Sequence, residues 1–206
     1  MNDFSKALLL AAALGLALPA LAQETAPEAE APAAETAPAP DSGLPLGEAV
    51  TDDGIGSVYV QETSGDWEVR CIRTAEGNDP CQLYQLLKDD KGGQVAEINI
   101  LSLPSGQQAV AGATVITPLE TLLTEQLTFQ IDSGEARRYP FTWCQEKLGC
   151  VVRMGFTQAD LDAMKKGNAA TITIVPMVAP DQKVGLTVSL KGFTAGFNAV
   201  KAANGH

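Results

Sequence analysis

WEVRC, residues 67–71, sets Trp67, Val69 and Cys71 on one face of an extended chain and Glu68 and Arg70 on the other. Side chains of a strand alternate between faces, so this period of two marks a strand with one face buried and one solvated. The pattern recurs along the chain. LTFQID offers Leu127, Phe129 and Ile131, EINI offers Ile98 and Ile100, TITI offers Ile172 and Ile174, and LTVSLK offers Leu186, Val188 and Leu190. Turn-forming clusters separate these runs, among them DDKGG at 89–93, DSGE at 132–135 and APDQK at 179–183. A parallel sheet would need a helix between successive strands, so an all-β, antiparallel sandwich is expected over residues 54–206.

Two segments carry a helical signature instead. TQADLDAMKKG provides Thr157 as N-cap, Asp160 three residues on, Lys165 and Lys166 in the last turn and Gly167 beyond it, with Leu161 and Met164 on one face. Near the end of the chain Phe193, Phe197 and Val200 fall at helical spacings, which predicts a second short helix.

The N-terminal part reads differently. Lys6 precedes an apolar stretch from Ala7 to Ala17, followed by Pro19 and the small-residue pattern Ala20-Leu21-Ala22, the three-part layout of a secretory signal peptide over residues 1–22. The stretch from Ala7 to Ala22 is shorter than the about 20 residues that a spanning helix needs. Cleavage near Ala22 is expected, and with no cysteine directly after it a lipid anchor is not. No later run approaches membrane length, so no membrane span is expected once the leader is removed. Ala, Pro and Glu then supply 18 of the 28 residues from Gln23 to Val50, and aromatic residues are absent there. Such a segment buries too little apolar surface to offset its ordering entropy, so residues 23–53 read as a disordered acidic tether.

Charge follows the same division. Residues 23–66 hold ten acids and no Lys or Arg, whereas residues 67–206 hold 14 acids and 13 bases. The formal net charge of −11 thus belongs to the tether, and the folded part is nearly neutral. Binding to nucleic acid has no electrostatic footprint here.

An exported chain meets an oxidising compartment, where four cysteines read first as disulfides. Cys71, Cys81, Cys144 and Cys150 allow three connectivities. The local pairs Cys71–Cys81 and Cys144–Cys150 are favoured because each brackets a turn-like stretch, TAEGNDP and QEKLG. A thiol oxidoreductase would show Cys-x-x-Cys near a βαβ pattern, and a zinc site would want paired short spacings or histidine. Neither pattern occurs, and the one histidine is His206. Neither a metal nor a cofactor is expected.

Catalysis by Ser-His-Asp or Cys-His has no general base in this chain. Ser-x-x-Lys and the Gly-rich phosphate loop are absent as well. Paired carboxylates remain from Glu68, Glu97, Glu120, Glu125 and Asp132, but Glu68, Glu97 and Asp132 fall on the polar phase of their strands, where a solvated face is the default. The expectation is therefore a non-enzymatic interaction module, with a carboxylate-based hydrolase of envelope glycans or a sheet-edge-binding quality-control factor as alternatives. Trp67 lies on the apolar phase and reads as core. Trp143, on the phase opposite Cys144, is a candidate aromatic anchor for a glycan or protein partner, and Arg137 with Arg138 a candidate anion contact.

Taken together, GDWEVRC, Cys81 followed by QLYQLL, PFTWCQEKLGCVV and VSLKGFTAGFNAV resemble, in order and spacing, the invasion-associated locus B family of exported alphaproteobacterial proteins. The resemblance covers about Val58 to Val200. It implies an all-β sandwich with short-range disulfides matching Cys71–Cys81 and Cys144–Cys150, a periplasmic or secreted location, and an association with host-cell invasion in pathogenic members. It supplies no catalytic residues. The partner would be an envelope or host protein or glycan.

Overall fold

A computed structural model describes residues 54–89 and 91–205. The expected leader, the tether and His206 lie outside the described residues. The described residues form eleven strands and two α-helices. In order they are β1 (Val58–Ser64), β2 (Trp67–Ile72), β3 (Cys81–Lys88), β4 (Gln94–Ser102), β5 (Ala111–Thr117), β6 (Leu127–Ile131), β7 (Arg137–Tyr139), β8 (Phe141–Gln145), β9 (Gly149–Phe156), α1 (Gln158–Lys166), β10 (Ala169–Ile174), β11 (Val184–Ser189) and α2 (Phe193–Ala203).

Seven strands make one antiparallel sheet in the order β1-β2-β3-β4-β5-β9-β8, and four make a second in the order β11-β10-β6-β7. This is the expected all-β sandwich with two short helices. Register aligns the inward residues across the large sheet: Val69 faces Leu83, Leu83 faces Ile100, Ile100 faces Ala113, and Ala113 faces Met154. All five are buried. The small sheet contributes Leu127, Phe129, Ala170, Ile172, Leu186 and Val188 from its own inner face. Burial of two alternating faces against each other is the main term holding the layers together.

Helix α2 completes the inner layer by packing Phe193, Phe197 and Val200 against β1 to β4. The Phe193 ring meets Trp67 edge-on, with centroids 5.6 Å apart. Two glycines make this docking possible. Gly192 sits at the N-cap with φ 86°, and a Cβ there would overlap the Ser64 carbonyl; at Gly196 a Cβ would press into Leu83. At the far end of α2 the Asn204 side chain accepts from the Cys81 N–H at 2.8 Å and donates to the Cys81 carbonyl at 2.9 Å.

Among the described residues Gln85, Ser102, Thr117 and Thr121 are the buried polar side chains, and Gln85 is the one that ties the two sheets together. Gln85 is buried in β3, yet its Oε1 accepts from Ser189 N at 2.8 Å and its Nε2 donates to the Ser189 carbonyl at 3.1 Å. Trp67 Nε1 donates to the same carbonyl at 2.7 Å. Buried polar groups lose stability only when unpaired, so this set pins the end of β11 to the large sheet without leaving an orphan.

Helix α1 begins as expected. Thr157 and Asp160 form a reciprocal capping box, Leu161 and Met164 are buried, and Lys165 and Lys166 occupy the last turn.

Candidate functional site

All four cysteines are oxidised, pairing Cys71 with Cys81 and Cys144 with Cys150. The first bridge joins directly opposed residues of β2 and β3 in the core, where the two cysteines are 0% and 5% exposed. The second joins β8 to β9 at the edge of the large sheet, with Cys150 buried and Cys144 exposed. Disulfides persist in oxidising compartments, and this chemistry fits an extracytoplasmic protein.

The edge strand β8 carries Trp143. Phe141 lies opposite Val152, but Trp143 lies opposite Val151, so one extra residue is accommodated between them. Such a bulge reverses the face to which later side chains point. It sends Trp143 to the outer face of the sheet while returning Cys144 to a position opposite Cys150. Trp143 is 45% exposed, close to the 44% of Leu148 in the adjoining turn. From Trp143 a row runs across the outer face through Val151, Ile116, Glu97 and Leu86. A shallow groove of about 250 Å³ lined by Leu86, Val95, Glu97, Ile116, Pro118 and Leu148 follows this row. Trp143 does not itself line this groove and is separated from Ile116 by Val151 in the row, but a half-exposed indole can present a rigid, amphipathic contact to a partner.

The arginine doublet does not form one site. Alternation in β7 places Arg137 and Arg138 on opposite faces. Arg137 Nη1 reaches both oxygens of Asp160 at 2.8 Å. Burial pushes the Asp160 carboxyl up, but the hydroxyl and amide of Thr157 and the Arg137 guanidinium outweigh it and hold the carboxyl below its ordinary value. The Arg137 guanidinium is raised in turn by its hydrogen bond and charge pairing with Asp160. Arg137 is thus a clamp between β7 and the first turn of α1. Arg138 faces outward from the small sheet into a hollow of about 120 Å³ shared with Glu125, Gln126, Thr128, Thr173 and Lys183. The partner of Arg137 lies 23 residues along the chain, a distance at which no local signal reveals it.

Behind the clamp is a cleft that the strand pattern does not announce. It encloses about 130 Å³ between the β6–β7 hairpin, the end of β9 and α1. Phe129, Ile131, Tyr139, Phe156 and Ala163 give it apolar walls, and Glu135 and the Arg137–Asp160 pair stand at its polar side. Phe129 and Phe156 come from the two different sheets, with ring centroids 5.3 Å apart.

The acids flagged by the sequence are dispersed. Glu68 pairs with Arg70 at 2.8 Å, and the Arg70 guanidinium lies 3.2 Å over the Tyr84 ring. Asp132 accepts from the Asn168 and Ala169 amides where the chain passes from α1 into β10. Glu120 and Glu125 are exposed. Asp79 accepts from the Thr74 amide and the Tyr59 hydroxyl, which hold it below its ordinary value. Among the described residues no group of three or more His, Cys, Asp or Glu side chains is placed to hold a metal ion, and no helix is long and apolar enough to cross a membrane.

Sandwich topology and local disulfides together define an all-β, disulfide-stapled domain of extracytoplasmic type. The chain belongs to the Invasion associated locus B (IalB) protein family, whose profile matches residues 67–201. Two Invasion protein B homologs, from Brucella abortus strain 2308 and from Brucella abortus biovar 1 strain 9-941, are each 25% identical to it over 148 residues. Each match covers 71% of this chain and 82% of the relative. The crystal structure of invasion associated protein B from Bartonella henselae shares the fold, with a TM-score of 0.58 and 23% identity over 68% of this chain and 94% of that one. These relatives carry the name of an invasion protein rather than of an enzyme.

Proposed function

We propose that the chain is an exported, non-enzymatic interaction module of the periplasm or the secreted fraction, released by cleavage near Ala22, with residues 23–53 as an acidic tether. Its folded domain docks an envelope or host protein or glycan through Trp143 and the groove beside it. In pathogenic relatives the same activity would serve host-cell invasion, in keeping with the names of the Brucella and Bartonella proteins. The observation that carries the reading is a large aromatic side chain, 45% exposed, on an uncharged edge strand. Exposed aromatics concentrate binding energy, and truncating such an anchor removes about 2 kcal/mol or more from a complex.

A photo-crosslinking amino acid placed at position 148, beside Trp143, in the exported full chain tests this in envelope extract and on host cells. A discrete adduct is expected, and adding Trp143→Ala should abolish it while leaving the melting temperature unchanged. An identical adduct pattern with and without Trp143→Ala overturns the reading.

The uncharged β8 edge also favours a second reading, strand addition by an extended partner. Strand addition uses the main chain of the edge rather than the indole, so adducts that persist in Trp143→Ala are its mark, which separates the two. No observation favours the hydrolase alternative. Its two acids would have to face each other across a cleft, whereas Glu68 is held by Arg70 and Asp132 by the Asn168 and Ala169 amides.

A further inference from the structure

We propose that the cleft under α1 is a receptor for one aromatic side chain of a protein partner, carried next to a lysine or arginine in that partner's sequence. The volume comes first. A cleft of about 130 Å³ is close to the roughly 150 Å³ of an apolar cavity that takes up benzene, so it fits a single six-membered ring. Pockets for whole small molecules run from about 300 Å³ upward, so the ring is better supplied by a side chain on a larger partner than by a free metabolite.

The walls agree with a planar occupant. Phe129, Phe156 and Tyr139 contribute three aromatic rings to the wall, with Ile131 and Ala163 beside them. Aromatic pairs in offset or edge-on contact add to simple burial.

Charge then selects the neighbour of the ring. Asp160 is already engaged by Arg137 and by Thr157, so that pair is internally neutral. The remaining ionisable wall residue on the acidic side is Glu135, which is exposed. Its carboxylate is complementary to a cation set one residue from the inserted ring. The site is separate from Trp143, so it stands or falls independently of the docking surface above.

Nitrogen-15 amide spectra of the full chain, titrated with three capped tetrapeptides, provide the test. The probes are acetyl-Gly-Phe-Lys-Gly-amide, its Phe-Gln counterpart and its Ala-Lys counterpart. Shifts are expected at the amides of Phe129, Tyr139, Phe156 and Ala163, strongest for Phe-Lys. The Phe-Gln peptide should bind about two- to five-fold more weakly, the range of a solvent-exposed ion pair. Ala-Lys should give no saturable shift. Ala163→Leu, at an exposed helical position that leucine tolerates, should fill the cleft and abolish the shifts. Glu135→Gln should preserve binding of both Phe peptides and equalise their affinities. Shifts that are absent, that follow lysine alone, or that persist in Ala163→Leu overturn the proposal. Equal affinities of the two Phe peptides for the unsubstituted chain overturn its charge selection.

Discussion

Removing each disulfide in turn should give two different losses of stability, and the structure fixes their order. Cys71 and Cys81 are separated by 10 positions and Cys144 and Cys150 by 6. On the loop-entropy relation the bridges contribute about 2.7 and about 2.3 kcal/mol, a difference too small to separate them. Burial separates them. Cys71 and Cys81 are both buried, whereas Cys144 is exposed and only Cys150 lies inside. Each buried sulfur replaced by alanine removes about 1 kcal/mol more through lost transfer energy and the void left behind. The Cys71→Ala, Cys81→Ala variant should therefore lose about 4.5 kcal/mol and the Cys144→Ala, Cys150→Ala variant about 3 kcal/mol. With an unfolding entropy of about 2.1 cal/mol/K per residue over a domain of about 150 residues, the melting temperatures should fall by roughly 14 °C and 10 °C. Urea unfolding of both variants, followed by fluorescence and far-ultraviolet dichroism together, reads the free energies. Mass spectrometry after alkylation of the unreduced native protein should find no modified cysteine, and mild reductant should open Cys144–Cys150 first. A larger loss at the edge bridge than at the core bridge would refute the burial argument, and alkylation of either bridge without reductant would refute the pairing itself.

Gly192→Ala should cost about 3 kcal/mol or more, because φ 86° and the neighbouring Ser64 carbonyl exclude a Cβ; the drop should appear as loss of soluble yield and of the cooperative melt. Asn204→Ala leaves the Cys81 N–H and C=O without their partners, so a loss of about 1–3 kcal/mol is expected by urea unfolding. Asp79 and Asp160 have folded-state pKa values below their ordinary range. Their stabilisation is therefore complete above the unfolded value of about 3.9 and disappears as pH falls through the lower folded values. Melting temperature measured from pH 7 to pH 2 should drop on the acid side of pH 4, and Asp160→Asn, less stable at pH 7, should show a shallower drop there.

Much of the sandwich was legible because alternation reports directly on which face is buried: Trp67, Ile98, Ile172 and Leu186 all lie inside as their phase requires. The helices were legible for local reasons as well, a capping box for α1 and the spacing of Phe193, Phe197 and Val200 for α2. Gly192 and Gly196 read locally as helix breakers. Their role appears only when Ser64 and Leu83, both more than a hundred positions away, are brought against them. Gln85 likewise reads as a polar intrusion until Ser189 arrives to satisfy it. The candidate site was legible in part. Trp143 could be placed opposite in phase to Cys144, but the extra residue that sets both orientations leaves no mark in the sequence. Adjacency of Arg137 and Arg138 suggested one anion contact, whereas a strand sends neighbours to opposite faces. The cleft depends on two sheets and a helix converging, so no single segment encodes it.

Both surfaces nevertheless belong to one continuous stretch. Arg137 to Tyr139 pairs with β6 in the small sheet, and Phe141 to Gln145 pairs with β9 in the large one, with Pro140 alone between them. Proline has no N–H to continue a ladder, so it is a natural point for the chain to leave one sheet and join the other. One side of that switch lines the cleft, and the other carries the exposed indole. Different contacts hold the two sides: the Asp160 carboxylate for Arg137, and the Cys144–Cys150 bridge beside Trp143. Selective reduction of the edge bridge should therefore loosen Trp143 without disturbing the clamp. In amide exchange, protection should fall at residues 143–150 and stay unchanged at Arg137 and Asp160, because local opening follows the contacts that are lost. Equal loss of protection on both sides of Pro140 would mean that the stretch opens as one unit, and the two surfaces would then be coupled.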